Sequence, residues 1–83
     1  MSKGDIVERV VRYITEQIVD DASSVQVEVV DDGEDAVLAE VKTAKPDMGR
    51  VIGRRGRVAR AIRLVAKAAG DEEGLDAQVE FLD

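Results

Sequence analysis

The 83-residue sequence predicts a single α+β domain in which a three-stranded mixed sheet carries three helices on one face. Three observations lead there. Apolar residues recur at helical spacing near the start of the chain and again after residue 57. Three short stretches alternate apolar and polar residues at the period of a half-buried strand. The resulting order is helix, strand, strand, short helix, helix, strand, with no internal repeat, linker or low-complexity segment, so residues 1–83 read as one domain. A chain of this size buries only about 60–65% of its unfolded surface, which makes the core thin.

Each element has its own signal. Ile6, Val7, Val10, Val11, Ile14 and Ile18 fall on one face at ~100° per residue and predict an amphipathic helix over 4–20. Ser2 and Asp5 resemble a weak capping box at its start, and Asp20-Asp21 lie past its end. Val25, Val27 and Val29 then alternate with Gln26 and Glu28 as a first strand. After a turn over 31–35, a second strand over 36–43 sets Val37, Ala39 and Val41 against Leu38, Glu40 and Lys42, forming a hairpin with the first. Pro46, the only proline, suits the first turn of a short helix, and Asp47 favours its positive end. A longer helix runs from Arg57 to about Ala69 and stops at Gly70 as a C-terminal cap. On it Val58, Ile62, Val65 and Ala69 form one face, opposite Arg57, Arg60, Arg63 and Lys67, with Leu64 at the edge of the basic face. Residues 70–74 read as an acidic loop, and Ala77, Val79 and Phe81 alternate with Gln78 and Glu80 as a third strand. A strand–helix–helix–strand crossover is long enough to join parallel neighbours, so the third strand is expected parallel to the second. The two aromatic residues, Tyr13 and Phe81, read as core.

Composition excludes several classes of function. There is no cysteine and no histidine, so a disulfide framework, a thiolate zinc site and a histidine-based catalytic triad are all absent. Nothing supplies a nucleophile–base pair or a Walker motif, and the expectation is a protein that is not an enzyme, with no cofactor, no metal and no small-molecule substrate. No signal peptide opens the chain, and no apolar run approaches the ~20 residues of a membrane helix, which predicts a soluble, cytoplasmic protein without a membrane partner.

Charge is divided sharply. Net charge is −6, yet residues 42–67 hold nine basic side chains against one acid, Asp47, a local charge of +8. The remaining residues hold three basic and seventeen acidic side chains, a charge of −14. Within that segment GRVIGRRGRVARAIRLVAKAAG, residues 49–70, carries seven basic residues and no acid. An anionic partner feels this local patch, because the Debye length is only ~8–10 Å. Gly53-Arg54-Arg55-Gly56 sits between two predicted helices. Its glycines permit a sharp positive-φ turn, the following helix presents free N–H groups, and its arginines carry donors matched to phosphate. These are the parts of a phosphate-backbone clamp; the plainer alternative is a helix–turn–helix corner with a solvated basic face.

Val51-Ile52-Gly53-Arg54-Arg55-Gly56, continuing to Val58 and Ile62, resembles the signature of K-homology (KH) RNA-binding domains. The element order is similar to the type II, prokaryotic arrangement. The length, the Met48-Gly49-Arg50 lead-in and the Ala61-Ile62-Arg63 continuation look most like the stand-alone bacterial single-KH (KhpA-like) family. That resemblance covers essentially the whole chain.

It implies a single-stranded RNA-binding protein, acting as an RNA chaperone or post-transcriptional regulator, that clamps the backbone of about four unpaired nucleotides. Carried onto this sequence, Gly53, Arg54, Arg55 and Gly56 hold phosphates, and Arg50 and Arg57 add backbone contacts. Val51, Ile52, Val58 and Ile62 form the groove side and the core beneath it. Val58 and Ile62 lie on the predicted buried stripe, which favours packing over base contact. Arg60 and Arg63 are weaker candidates further along the helix, with Lys67 beyond them, and Lys42 and Lys45 are weaker candidates at the end of the second strand. The acidic stretch 70–74 takes the place of the variable loop of a type II KH domain, where it would repel a phosphate chain. Implied protein partners are a second copy of the chain or a larger KH-containing protein. The competing reading is a KH fold kept as an interaction or dimerisation module, with weak or indirect RNA binding. A duplex-DNA helix–turn–helix fits poorly, because strands flank the helices on both sides.

Overall fold

The computed structural model describes residues 2–82, and among these the chain forms three α-helices and one three-stranded sheet. The helices are α1 (Asp5–Ile18), α2 (Met48–Ile52) and α3 (Arg57–Glu73); the strands are β1 (Gln26–Asp31), β2 (Ala36–Lys42) and β3 (Asp76–Phe81). The sheet order is β1-β2-β3. β1 pairs antiparallel with β2, setting Val27 opposite Val41 and Val29 opposite Ala39. β2 pairs parallel with β3, setting Val37 opposite Ala77 and Ala39 opposite Val79. This is the predicted mixed sheet in the type II KH arrangement.

Alternation along the strands divides the sheet into two faces. Val27, Val37, Ala39, Val41, Ala77 and Val79 are buried under the helices. On the other face Glu28, Glu40 and Glu80 stand side by side across all three strands. Like charges directly opposite one another are unfavourable, and this face remains open and anionic. The helical layer is closed by Val7 and Val11 of α1, Val51 of α2 and Ile62 of α3, each at most 1% exposed.

The structure corrects several expectations on the helices. α3 does not stop at Gly70; it runs one turn further to Glu73 and ends at Gly74, whose φ of +69° makes the left-handed cap. Gly70 is a packing residue. A Cβ there would lie 2.6 Å from the Leu75 carbonyl oxygen and 3.0 Å from Ala77 Cβ, so only glycine lets the chain fold back into β3 so closely. The stripe that α3 buries is Ala59, Ile62, Ala66, Ala69 and Gly70; Val58 is half-buried and Val65 is exposed. Small side chains bring α3 close to the sheet; Val58 packs at the margin of the core and Val65 is turned off it. Tyr13 is not core: it is 63% exposed on the outer side of α1. Phe81 is half-buried at the sheet edge.

Because α3 is longer, residues 70–74 are its last turn rather than a loop over the groove. The Glu73 carboxylate accepts from the backbone N–H groups of Gly4, Ile6 and Val7 at 3.0, 3.0 and 3.2 Å. No side chain near the start of α1 caps it, so Ser2 and Asp5 form no capping box; Ser2 instead supplies its carbonyl to the Asp5 N–H at 3.1 Å. One remote carboxylate thus satisfies donors that a helix start otherwise leaves orphaned, and places negative charge at the positive end of the helix dipole. Asp47, 3% exposed, acts similarly: it accepts from the N–H groups of Asp20 and Asp21 at 3.2 and 3.1 Å, tying the segment after α1 to the start of α2 rather than capping α2.

Glu73→Ala is expected to lower stability by ~1–3 kcal/mol in chemical denaturation, since three N–H groups lose a charged partner. Glu72→Ala, on an exposed neighbour, should change it by less than about 0.5 kcal/mol. Equal effects would show that the cap contributes nothing.

Candidate nucleic-acid interface

The turn between α2 and α3 is built from unusual backbone. Gly53 has φ +75° and ψ 170°, Arg55 φ +57° and ψ 24°, and Gly56 φ +72° and ψ 17°. Arg55 is the only non-glycine residue with positive φ among the described residues. Gly53 ends α2, its N–H donating to the Gly49 carbonyl at 2.9 Å, and its own carbonyl accepts from the Gly56 N–H at 3.1 Å. A Cβ on Gly53 would meet Val58 Cγ2 at 2.5 Å and the Val58 backbone nitrogen at 2.9 Å. Gly56 has open space around it and needs glycine for its φ alone. Between them Arg54 and Arg55 are exposed at the tip. No side chain caps the N-terminus of α3; the Arg57 N–H donates to the Arg54 carbonyl, so the loop runs directly into the helix.

From this loop the basic side of α3 runs along β3. Arg60, Arg63, Leu64 and Lys67 line one wall of a groove of about 320 Å³, and Asp76, Ala77, Gln78 and Val79 of β3 line the other. β3 is an edge strand. Asp76 and Leu82 donate their N–H groups toward the β2 side, to the carbonyls of Asp35 and Val41, both at 2.8 Å. Alternation therefore turns the N–H and C=O groups of Ala77, Val79 and Phe81 outward, into the groove. One arginine ties the groove to the loop and another bridges its walls. Arg60 donates to the Arg55 carbonyl at 3.3 Å, linking loop and groove. Arg63 donates through Nε to the Val79 carbonyl at 3.3 Å, and its guanidinium lies 5.2 Å from the centre of the Phe81 ring. A cation over an aromatic face at this distance is attractive.

The residues singled out from sequence do not all arrive here. Gly53, Arg54, Arg55, Gly56 and Arg57 form the loop and the first residue of α3, and Arg60 and Arg63 join them through the groove. Ile52 is 36% exposed beside the loop, whereas Val51 has no exposed surface and serves the core alone. Arg50 is turned away to pair with Asp20 at 2.9 Å. Lys42 and Lys45 line a different hollow, with Thr43, Met48 and Leu82. The edge of β3, Phe81 included, escaped the sequence reading; the signal for it was the alternation of 77–81 in a strand with only one predicted neighbour.

The chain matches the family model described as KhpA/KhpB, KH domain, over residues 8–81. This protein belongs to the KhpA/KhpB KH-domain family. Among its relatives, the RNA-binding protein KhpA of Clostridium acetobutylicum is 45% identical over 69 residues, covering 83% of this chain and 91% of the relative. The protein of the same name from Clostridium perfringens is 42% identical over 72 residues, 87% of this chain and 95% of the relative. That from Borreliella burgdorferi is 36% identical over 73 residues, 88% of both chains.

Titratable groups with displaced pKa values lie outside this KH groove. The hydroxyls of Ser23 and then Ser24 hold Asp21 below the ordinary carboxylate value, and the Lys3 ammonium does the same for Asp31. Among the described residues no cluster of three His, Cys, Asp or Glu side chains is arranged to hold a metal, and no helix is long and apolar enough to cross a membrane.

Gly53→Ala should cost roughly 2–4 kcal/mol in thermal or chemical unfolding, combining positive-φ strain with overpacking against Val58. Gly56→Ala, strained but unobstructed, should cost about 1–2 kcal/mol. A larger loss at Gly56 would mean that the Val58 contact does not set the turn.

Proposed function

We propose that this protein binds single-stranded RNA, holding the backbone at the Gly53–Gly56 loop and laying bases against the groove between α3 and β3. The observation that carries this reading is the left-handed Arg55-Gly56 turn, which opens an uncapped helix N-terminus onto a groove whose helical wall is basic. Phosphates sit against Arg54, Arg55 and Arg57, where the helix dipole and guanidinium donors act together. Unpaired bases meet the outward N–H and C=O groups of β3, which suit the edges of splayed bases. Stacking in this groove falls to Phe81 and the Arg63 guanidinium above it, since Tyr13 lies on α1. Relatives named as RNA-binding proteins support the reading. With few aromatics and a mainly phosphate-directed surface, affinity is modest, sequence preference weak and salt dependence strong. These properties suit a small RNA chaperone or post-transcriptional regulator working in the cytoplasm.

A second reading is favoured by one observation. Leu64 is 70% and Val65 38% exposed on α3 beside the basic side chains. On so small a domain this apolar strip suits association with a second copy or with a larger KH-containing protein, and Leu64 lies where such contact and RNA would compete.

Fluorescence-anisotropy titration of unstructured RNA at two salt concentrations separates the two. Wild type should give a log–log salt slope of roughly −3, for about four phosphates on a single strand. Arg54→Asp/Arg55→Asp, with its fold checked by circular dichroism, should bind at least about tenfold more weakly with a shallower slope. Equal binding by both proteins, or a slope near zero, would make the loop a structural corner and favour the association reading.

A further inference from the structure

The hollow of about 610 Å³ lined by Lys42, Thr43, Lys45, Met48 and Leu82 is the larger of the two cavities described above, and the groove at the loop does not include it. Its volume is in the range of small-ligand sites. Its lining divides into two chemistries. Met48 and Leu82 are half-buried and give an apolar floor; Met48 packs against the core and Leu82 is fixed by its N–H bond to the Val41 carbonyl at 2.8 Å. Lys42 and Lys45 are exposed at the rim, and neither forms an ion pair among the described residues. Thr43 is half-buried between them, its hydroxyl donating to the Ala44 carbonyl at 2.9 Å.

The position of the hollow matters as much as its lining. β3 carries the groove up to Val79 and ends at Phe81, and the next residue, Leu82, enters the hollow. At ~3.3 Å per residue Val79 and Leu82 are about 10 Å apart, on the order of one or two nucleotides. On the other side Met48 begins α2 and Ile52 ends it beside the Gly53 loop, about 6 Å away at 1.5 Å per residue. The hollow therefore lies between the start of α2, which leads to the loop, and the end of β3, which forms one wall of the groove.

We infer that this hollow is a second nucleotide subsite, in which a base of the same RNA strand rests on Met48 and Leu82 while its phosphates are met by Lys42 and Lys45. The inference rests on the RNA-binding reading above and extends its footprint beyond the four-nucleotide clamp. Charge selects the occupant: two unpaired ammonium groups over an apolar floor fit an anionic chain with flat hydrophobic rings. The open sheet face limits the path. Glu28 and Glu40 border a smaller hollow that shares Lys42 and Leu82 with this one, and their carboxylates repel phosphate, so the strand leaves on the α2 side.

The test compares unstructured RNAs of four and eight nucleotides, by anisotropy at two salt concentrations, for wild type and Lys42→Gln/Lys45→Gln. An eight-nucleotide chain offers a four-nucleotide site about five registers, so counting alone gives about a fivefold gain. Wild type should exceed that gain several-fold, and its salt slope should steepen by about 1.4 for two added phosphates. The double variant should fall back to the fivefold ratio and lose the steepening. Binding of the short RNA with no more than the fivefold gain overturns the subsite and leaves the clamp standing. An unchanged length gain in the variant overturns it too, as does an unchanged gain accompanied by a shifted monomer–dimer equilibrium in sedimentation, which would assign the hollow to a second copy. Failure of wild type to bind either RNA overturns the clamp and the subsite together.

Discussion

Gly53 and Val58 meet where there is no room for another atom, and the geometry of the interface depends on that contact. A Cβ at Gly53 would come within 2.5 Å of Val58, so the chain leaves α2 through a positive φ and enters α3 almost at once. The turn does three things. It brings α2 against α3, it lifts Arg54 and Arg55 clear of the surface, and it starts α3 beside them with no side-chain cap. The positive end of the helix dipole and the guanidinium donors then act on one small volume. A mobile loop with the same two arginines would have to be ordered on binding, at a cost of about 1–2 kcal/mol per residue fixed; here the order is present beforehand.

The second constraint is the closeness of α3 to the sheet. Its buried stripe is mostly alanine and glycine, and β3 answers with Ala77 and Val79. Small side chains between helix and strand let the helix settle low, so that the long arginines on its flank reach the exposed edge of β3. Arg63 spans that gap to the Val79 carbonyl. One acidic patch lies elsewhere, on the open sheet face, where Glu28, Glu40 and Glu80 stand in a row. A phosphate chain thus meets positive charge on one side of the molecule and repulsion on the other, which orients it without base-specific contacts.

Much of this was legible in the sequence because it depends on local pattern. Strand alternation, the helical stripe of α1, the Gly-Arg-Arg-Gly turn and the charge segregation all follow from neighbours along the chain, and the parallel pairing of β2 with β3 followed from the length of the crossover. What escaped depends on partners distant in sequence. Gly70 has the local character of a helix terminator, but its reason is a carbonyl on the returning chain. Glu73 looked like part of a solvated acidic loop, and its partners are 66 to 69 residues away. Val65 outranks alanine in hydrophobicity, so periodicity favoured it, whereas the close approach of α3 selected the alanines. Tyr13 stood among apolar residues of α1, yet its phase on the helix points it to solvent. Arg50 belonged to the basic cluster by sequence and to Asp20 by position. Of the residues expected at the groove side and the core beneath it, Val51 is wholly core.

The central claim is one of place: RNA lies along the loop, the basic side of α3 and the free edge of β3. The most direct measurement is a titration of unstructured RNA into ¹⁵N-labelled protein, following every backbone amide by NMR. The account predicts perturbations at residues 53–60 and at the outward-facing amides of Ala77, Val79 and Phe81, with Glu28, Glu40 and the outer side of α1 around Tyr13 unchanged. Perturbations centred on the open sheet face or on α1, with the amides of 53–60 silent, would contradict it.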